Sequence, residues 1–552
     1  MTTFRFLAGS AIALTAIPAL AAATGSFSTQ RLSDLDKAIS SDAMQGRGTA
    51  SAIEPTVINY IAGQMKAAGV QPGGDLVNSQ RSWFQAVPLL ESEISSPATL
   101  SLNENGTVVP LRQGPDIAVL APLNGAAQVN IDNAPLVFVG YGVTAPERKW
   151  DDFKGVDLKG KIMVVLVNDP DYETGQGDFG GKAMTYYGRW TYKYEEAARR
   201  GAKGLLVIHE TAPASYGWAT VKNSNTNTMF DIVRAQPASA HPQMEGWIQR
   251  DFAVDLFKRA GLDFDALKQQ AQTRDFKPVE LKGESLSAQY AVDAKVITSH
   301  NIVGRIEGSE HPDETVIYSA HWDHLGVGQP DAKGDRIYNG AVDNATGTAA
   351  LIELANAYAH GPKPKRSVVF LNVTAEEKGL LGSEYYAANP LYPLATTVGV
   401  LNMDALDPHG PARNFTTSGS AKLDLLDDTI AAAKRMDISF SPDPKPEAGH
   451  FFRSDHFPFA KRGVPAISFG SGNDLVDGGI AAGEAMEQAY VTDNYHQPSD
   501  EWHADWSFTG MARDLQLLYT VGEELANSTR WPAWSQDSEF RATRDESAAE
   551  RK

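Results

Sequence analysis

Histidine and carboxylate residues recur where short apolar runs end in the C-terminal half of the sequence. The motifs "AHWDHLG", "GAVDNATG", "TAEEKGLLGS", "NMDALD" and "YHQPSD" carry His321, Asp323, Asp343, Glu376, Glu377, Asp404, Tyr495, His496 and Asp500. An isolated Glu-Glu pair ordinarily lies in a solvated loop. That interpretation does not hold for several acids and imidazoles that converge on one sheet edge, because buried carboxylates are costly unless a cation neutralises them.

The residue types in these motifs are those of a catalytic metal site. Two histidines and three carboxylates supply five ligands, and one bridging carboxylate would give each of two ions three protein ligands and an open position for water. The sequence contains no cysteine, so the ligand set is nitrogen and oxygen. This set suits Zn²⁺ first, with Co²⁺ or Mn²⁺ as possible substitutes. We expect two Zn²⁺ per chain.

The elements that position these residues alternate between strands and helices from about Asn301. Apolar runs such as "ETVIYSAHWD" and "RSVVFLNVTAEE" are typical of strands, whereas "NATGTAALIELANAYAH" is typical of a helix. In such sheets ligands collect at the carboxyl ends of the strands. The pattern predicts an α/β fold with a mixed central sheet flanked by helices, preceded by a smaller β-rich module.

Length, charge and the N-terminus narrow the class of protein. A chain of 552 residues predicts two or more domains, and a formal net charge of −19 argues against nucleic acid as a partner. The segment "MTTFRFLAGSAIALTAIPALAAATG" has the cation, apolar run and small-residue end of a signal peptide, cleaved near Ala21 or Ala23. We therefore expect an exported protein, periplasmic or secreted, without stable membrane insertion.

The motifs, in this order and together with "SDHFPFAKRGVPA", resemble those of metallopeptidase family 28 of clan MH, the co-catalytic di-zinc aminopeptidases. The stretch "VFVGYGVTAPERKWDDFKGVDLKGKIMVVLVNDP" is similar to the protease-associated domain that many members insert. The resemblance implies a zinc-aminopeptidase, phosphorylase/hydrolase-like fold. The expected division is a signal peptide (1–23), an N-terminal catalytic part (26–127), the protease-associated domain with a helical extension (128–285), the catalytic metallopeptidase domain (286–530) and a loose polar tail (531–552).

Roles for individual residues follow from this resemblance. Asp343 would bridge two zinc ions, and the other ligands would be His321 and Asp404 on one ion and Glu377 and His496 on the second. Glu376 would be the general base that takes a proton from the attacking water and delivers it to the leaving amine. The implied activity is hydrolysis of N-terminal residues from peptides with a free N-terminus.

Supporting roles are also implied. Asp323 would orient His321, and Asp500 would support the other end of the site in the same way. Tyr495 matches a position that donates to the oxyanion in some members, with packing as the alternative. Asp455 would lie near the amino end of the substrate. The remaining nearby histidines, His324, His450 and His456, are interpreted as non-ligands.

Other functions remain open at this point. The same scaffold hosts glutamate-carboxypeptidase-like and dipeptidase activities, and more remotely single-zinc glutaminyl cyclases and non-catalytic binding proteins that lost the metals. The complete set of ligands and base argues against the last of these. Family-20 metallopeptidases do not fit "GAVDNATG" and "YHQPSD", and no G-x-S-x-G elbow indicates a serine hydrolase.

Overall fold

The structure is a computed structural model that describes residues 27–419 and 422–551. The predicted signal peptide, residues 1–23, lies outside these ranges. None of the helices within them is both long enough and apolar enough to cross a membrane.

Parallel strands form the centre of the sheet that carries the candidate catalytic motifs. We call it the catalytic sheet. In spatial order they are Arg366–Val373, His311–His321, Thr397–Met403 and Ala466–Ser471. All residues of Arg366–Val373 and Thr397–Met403 are buried, which fits their largely apolar sequences. The antiparallel strands Val279–Ile306 and Asn414–Thr417 flank this group on its two sides. The predicted fold class, a mixed α/β sheet flanked by helices, is confirmed.

Helices cover the catalytic sheet. Thr346–His360 and Thr509–Asn527 pack on the central strands and on each other. The sequence "TGTAALIELANAYAH" is apolar on most of its circumference because this helix lies between the sheet and the N-terminal helices. The further helices of this part are Thr29–Ile39, Glu54–Ala67, Leu381–Ala388, Asp424–Arg435, Phe457–Lys461 and Gly479–Asp493.

A second α/β layer precedes the catalytic strands and has its own core. Its parallel strands, in spatial order, are Gln128–Phe138, Ile162–Leu166, Gly204–His209 and Met244–Gln249. Helices Trp190–Arg199, Thr211–Ala214, Trp218–Asn225, Arg250–Arg259 and Phe264–Ala271 belong to this layer. A separate buried cluster that includes Phe153, Leu205 and Trp247 holds it together. Short paired strands lie at Leu76–Val77 and Gln80–Arg81, Thr144–Ala145 and Trp150–Asp151, and Gly326–Val327 and Ile337–Tyr338.

One long strand, Val279–Ile306, connects the two layers. It pairs with Thr99–Glu104 and Gln128–Phe138 through its first half, and with Phe84–Ile94 and Arg366–Val373 through its second half. Its pairing crosses residue 285, where the sequence suggested a boundary, and Ile117–Val119 already joins the second layer before residue 128. The predicted domain boundaries at residues 128 and 285 therefore stay predictions. A continuous strand, and not a linker, joins the two layers at residue 285.

The expectation of a loose C-terminal tail is wrong for residues 531–551. Trp534 and Phe540 are buried, and the Trp534 indole N–H donates to the carbonyl of Gly463 at 2.9 Å. Arg544, in helix Arg541–Glu546, is also buried and donates to the carbonyl of Thr397 at 2.8 Å. Three large side chains anchor a segment that is otherwise polar, and average polarity does not reveal such anchors.

A largely buried histidine lies between two carboxylates next to the second layer. His241 Nε2 lies 3.0 Å from Asp231 Oδ2, and its Nδ1 lies 2.9 Å from Glu245 Oε1. Burial by itself lowers the pKa of His241, but the two carboxylates outweigh burial and raise the pKa to about 10. The histidine is therefore a cation at neutral pH.

The same group of charges reaches the catalytic sheet. Arg234 Nε lies 2.6 Å from Asp231, and its Nη1 lies 3.2 Å from Glu384. Arg462 Nη2 contacts Glu384 at 2.8 Å from the other side. Because Glu384 belongs to helix Leu381–Ala388, which follows the Glu-Glu motif, this network helps to fix the turn that carries the candidate catalytic residues.

We predict that His241→Asn lowers the thermal unfolding temperature by about 2–4 °C at pH 6, with a smaller effect at pH 9.5. The folded pKa lies above the unfolded value, so the contribution is complete below about pH 6.5 and is lost as pH rises through about 10. Thermal scans of both proteins across this range measure the difference. His311→Asn, at a half-exposed histidine, is the control and should leave the unfolding temperature almost unchanged. A loss of unfolding temperature in His241→Asn that grew with rising pH would contradict the assignment.

Candidate metal centre and active site

The carboxyl ends of neighbouring parallel strands supply most of the candidate ligands and the candidate general base. These residues are His321 at the end of His311–His321, Asp404 directly after Thr397–Met403, and Glu376 and Glu377 in the turn after Arg366–Val373. Parallel strands end at the same edge of a sheet, so the motifs meet although they are far apart in sequence. Two further candidates reach this edge from loops: Asp343 from the turn before helix Thr346–His360, and His496 from the segment after helix Gly479–Asp493.

The five predicted ligands form two groups that share one carboxylate. His321 Nε2 lies 3.2 Å from Asp343 Oδ1 and 3.1 Å from Asp404 Oδ1. His496 Nε2 lies 3.2 Å from Asp343 Oδ2 and 3.3 Å from Glu377 Oε2. Each oxygen of Asp343 therefore faces a different imidazole and a different second carboxylate.

His324 also belongs to this centre, although the sequence interpretation set it aside. Its ring is buried, and its Nδ1 lies 2.6 Å from Glu377 Oε1. His324, Asp343 and Glu377 form a compact group with the dimensions of a metal site. The sequence signal was the second histidine of "HWDH", but its direction depends on the turn after the strand, which alternation along a strand does not predict.

The charge of the site fits divalent cations. Burial alone would lower the pKa of His321, but Asp404 and Asp343 outweigh burial and raise it well above the ordinary value. Burial raises the pKa of Glu376 well above its usual range, and the neighbouring carboxylates of Asp404 and Glu377 add to the increase. Neighbouring carboxylates raise both pKa values, whereas burial raises the pKa of Glu376 and opposes the increase at His321. Protonation relieves the excess of negative charge, and bound divalent ions would relieve it as well.

Asp323 does not orient His321 with its carboxylate, contrary to the expectation. The His321 Nδ1 is 3.9 Å from the Asp323 carboxylate and 3.1 Å from the Asp323 backbone carbonyl. The carboxylate instead accepts hydrogen bonds from the Glu376 backbone N–H at 3.1 Å and the Thr49 hydroxyl at 3.0 Å. Asp323 thus positions the Glu376 backbone.

Asp500 supports the loop of the shared carboxylate, Asp343, at the other end of the site. Its side chain accepts hydrogen bonds from the backbone N–H groups of Val342, at 3.0 Å, and Asp343, at 3.2 Å. Tyr490 donates to the same carboxylate at 3.2 Å. These contacts fix the turn that presents Asp343 to both imidazoles.

The two residues predicted to meet substrate differ in exposure. Tyr495 is partly exposed, with its ring stacked on that of His496 at a centroid distance of 3.9 Å. The donation from its hydroxyl to the oxyanion stays a prediction. Asp455 is fully buried, and its Oδ1 accepts a hydrogen bond from the Ser383 hydroxyl at 2.6 Å. It is therefore not presented to a substrate in this structure. Its neighbour Ser454, which the sequence interpretation passed over, donates to Asp404 Oδ2 at 2.6 Å.

The two other histidines interpreted as non-ligands lie apart from the carboxylates of the candidate metal centre. His450 Nδ1 contacts Asp443 at 3.0 Å. His456 is buried against the ring of Phe451, and burial lowers its pKa to about 3. Neither belongs to the groups that share Asp343.

Parts of this chain are similar to known proteins. Residues 301–520 match the model described as Peptidase family M28. The chain is 36% identical over 153 residues to a probable zinc metalloprotease of Pyrenophora teres f. teres, an alignment that covers 24% of this chain and 32% of that protein. It is 33% identical over 157 residues to the probable glutamate carboxypeptidase LAMP1 of Arabidopsis thaliana, covering 28% of this chain and 21% of that one.

The aligned chain spans about a third of the length of that metalloprotease and about a fifth of that carboxypeptidase. Among solved structures, an aminopeptidase from Aneurinibacillus sp. strain AM-1 aligns with 92% of this chain and 96% of its own, with a TM-score of 0.48 and 18% identity. The family model spans all the candidate ligands, from His321 to His496. Residues 301–520 are therefore similar to peptidase family M28.

Proposed function

We propose that this protein is an exported aminopeptidase that binds two Zn²⁺ ions and removes N-terminal residues from peptides. The observation that carries the proposal is the position of Asp343, whose two oxygens face two separate histidine–carboxylate groups. His321 and Asp404 would hold one ion. Glu377 and His496 would hold the other, with His324 beside them as an alternative nitrogen ligand.

Bound zinc would polarise the peptide carbonyl and make a water molecule acidic enough to attack at neutral pH. Glu376 provides the proton transfer: its carboxylate takes a proton from the attacking water and gives it to the departing amine. Asp323 makes this possible by fixing the Glu376 backbone, so the side chain starts from a defined position. Burial, and after it the neighbouring carboxylates, raises the pKa of Glu376 and favours its protonated form, which is the form that donates to the amine.

The second layer and the N-terminus complete the proposal. We assign the second layer, residues 128–285, to a protease-associated domain that borders the catalytic cleft. The apolar N-terminal segment supports export to the periplasm or the medium. A free peptide N-terminus is the favoured substrate end, because the site carries an excess of negative charge that attracts an ammonium group.

We predict that Zn²⁺ raises the unfolding temperature of the metal-free protein by at least about 3 °C at 100-fold excess over its dissociation constant. The reason is that the cations neutralise the buried carboxylates. Thermal scans with and without metal measure the shift. Asp343→Asn should lose most of it, whereas Glu376→Gln, which leaves the ligands intact, should keep it; an equal shift in both variants would contradict the shared-ligand assignment.

We predict that Glu376→Gln lowers kcat at least about 100-fold and keeps both metals, because general-base catalysis contributes on this scale. Glu377→Gln should instead lose affinity for one ion. Metal analysis and steady-state kinetics on the two variants separate these roles. If both variants matched in metal content and rate, the division of roles between the neighbouring glutamates would be wrong.

The choice between an aminopeptidase and a carboxypeptidase is tested with one peptide in free and N-acetylated forms. We expect hydrolysis of the free form and at least about 100-fold lower kcat/KM for the acetylated form, since acetylation removes the ammonium charge and adds bulk. Comparable values would exclude the aminopeptidase and favour the carboxypeptidase alternative. Release of a cyclised N-terminal glutamine without cleavage would point to the cyclase.

A further inference from the structure

Arg47 lies at the centre of the catalytic domain although its segment is far from the ligands in sequence. The residue ends the turn Asp42–Arg47, between helices Thr29–Ile39 and Glu54–Ala67, and its side chain is fully buried. This segment precedes residues 301–520, the part of the chain that matches the family model. Its backbone φ is 50°, a left-handed conformation that is uncommon for a residue with a Cβ. The surrounding contacts must therefore hold it in place.

The guanidinium of Arg47 donates hydrogen bonds only to backbone carbonyls. They belong to Trp322 (2.7 Å), Asn339 (2.6 Å), Gly340 (2.8 Å) and Ile39 (3.2 Å). Trp322 directly follows His321, and Gly340 lies three residues before Asp343. One planar, rigid group thus connects the loop of a candidate ligand to the loop of the shared carboxylate.

The backbone around Arg47 strengthens this connection. The Arg47 carbonyl accepts a hydrogen bond from the His324 backbone N–H at 3.3 Å, and the Thr49 hydroxyl donates to Asp323 at 3.0 Å. At Gly46, whose φ is 63°, a Cβ would lie 2.4 Å from the carbonyl oxygen of Gly326. The segment therefore runs between the two loops with no space for a side chain at position 46.

The charge of Arg47 is also placed to act on the site. Its hydrogen-bond acceptors carry no net charge, so the guanidinium charge remains available to the carboxylates around it. These are Asp36, Asp323, Asp343 and Asp500, and each favours the charged form of Arg47 against the effect of burial. A fixed cation behind Asp343 offsets part of the repulsion between the carboxylates of the centre.

We propose that Arg47 is a positioning residue that sets the separation between the His321 loop and the Asp343 loop and so builds the metal-binding geometry. This inference rests on the proposed metallopeptidase function. Arg47 acts through the backbone of both loops and touches neither substrate nor the reacting atoms. The N-terminal segment is, on this account, part of the active-site architecture.

The test compares Arg47→Lys with Arg544→Lys. Arg544 is a matched control because it is also buried and donates to backbone carbonyls, those of Leu394 and Thr397, at the opposite end of the strand that leads to Asp404. Lysine keeps the charge in both variants but cannot reproduce the planar fork. Three quantities are measured: the unfolding temperature, the Zn²⁺ affinity of the metal-free protein by titration calorimetry, and kcat and KM for a free peptide.

We expect both variants to lose several degrees of unfolding temperature. Only Arg47→Lys should lose at least 10-fold in Zn²⁺ affinity and at least 10-fold in kcat, with KM within twofold of the original. Zn²⁺ affinity and kcat within twofold of the original, with stability lowered as in the control, would overturn the proposal. Failure of the unaltered protein to bind Zn²⁺ would instead overturn the proposed function itself.

A measurement on the unaltered protein covers the case in which Arg47→Lys does not fold. Zn²⁺ should slow backbone hydrogen exchange at residues 46–49 at least threefold, together with residues 321–324 and 339–343, and leave residues 541–546 unchanged. Exchange at 46–49 that does not respond to Zn²⁺, while the two ligand loops do, would overturn the coupling between Arg47 and the site.

Discussion

The position of the Asp343 carboxylate is the constraint on which the site depends. Its two oxygens lie 3.2 Å from His321 Nε2 and 3.2 Å from His496 Nε2, so a small rotation of this side chain would break both groups at once. Much of the surrounding structure serves to prevent such a rotation. Asp500 holds the Asp343 backbone N–H, and Arg47 holds the carbonyl three residues earlier.

The second constraint is that several carboxylates of the candidate metal centre lie close together in a small buried volume. Asp323, Asp404, Glu376 and Glu377 converge at one sheet edge because parallel strands end there, and Asp343 reaches the same edge from a loop. Such a group destabilises a fold unless cations or protons balance it. The raised pKa of Glu376 and of His321 records that imbalance. A site built in this way gains stability when divalent ions bind, which couples folding to function.

The sequence predicted what depends on topology and missed what depends on local direction. Strand ends brought His321, Asp404 and Glu377 together as expected, because every parallel strand presents its carboxyl end to the same edge. The partner of Asp323 depended on local direction, since a difference of less than 1 Å decides whether its backbone carbonyl or its carboxylate is nearer to His321 Nδ1.

Other features were hidden for different reasons. His324 turns into the site after its strand has ended, where period-two alternation no longer applies. Arg47 binds backbone carbonyls, which leave no pattern of opposite charges in the sequence. The C-terminal anchors Trp534 and Arg544 are isolated large side chains in a polar stretch, and the long strand Val279–Ile306 crosses a boundary that composition alone suggested.

The central claim is that Asp343 is shared by two metal ions, and anomalous X-ray scattering at the zinc edge tests it most directly. Crystals of the zinc-loaded protein should show two anomalous peaks, one on each side of the Asp343 carboxylate. One peak should contact His321 and Asp404, and the other Glu377 with His496 or His324. A single peak at full occupancy in active enzyme, or two peaks neither of which contacts Asp343, would contradict the account.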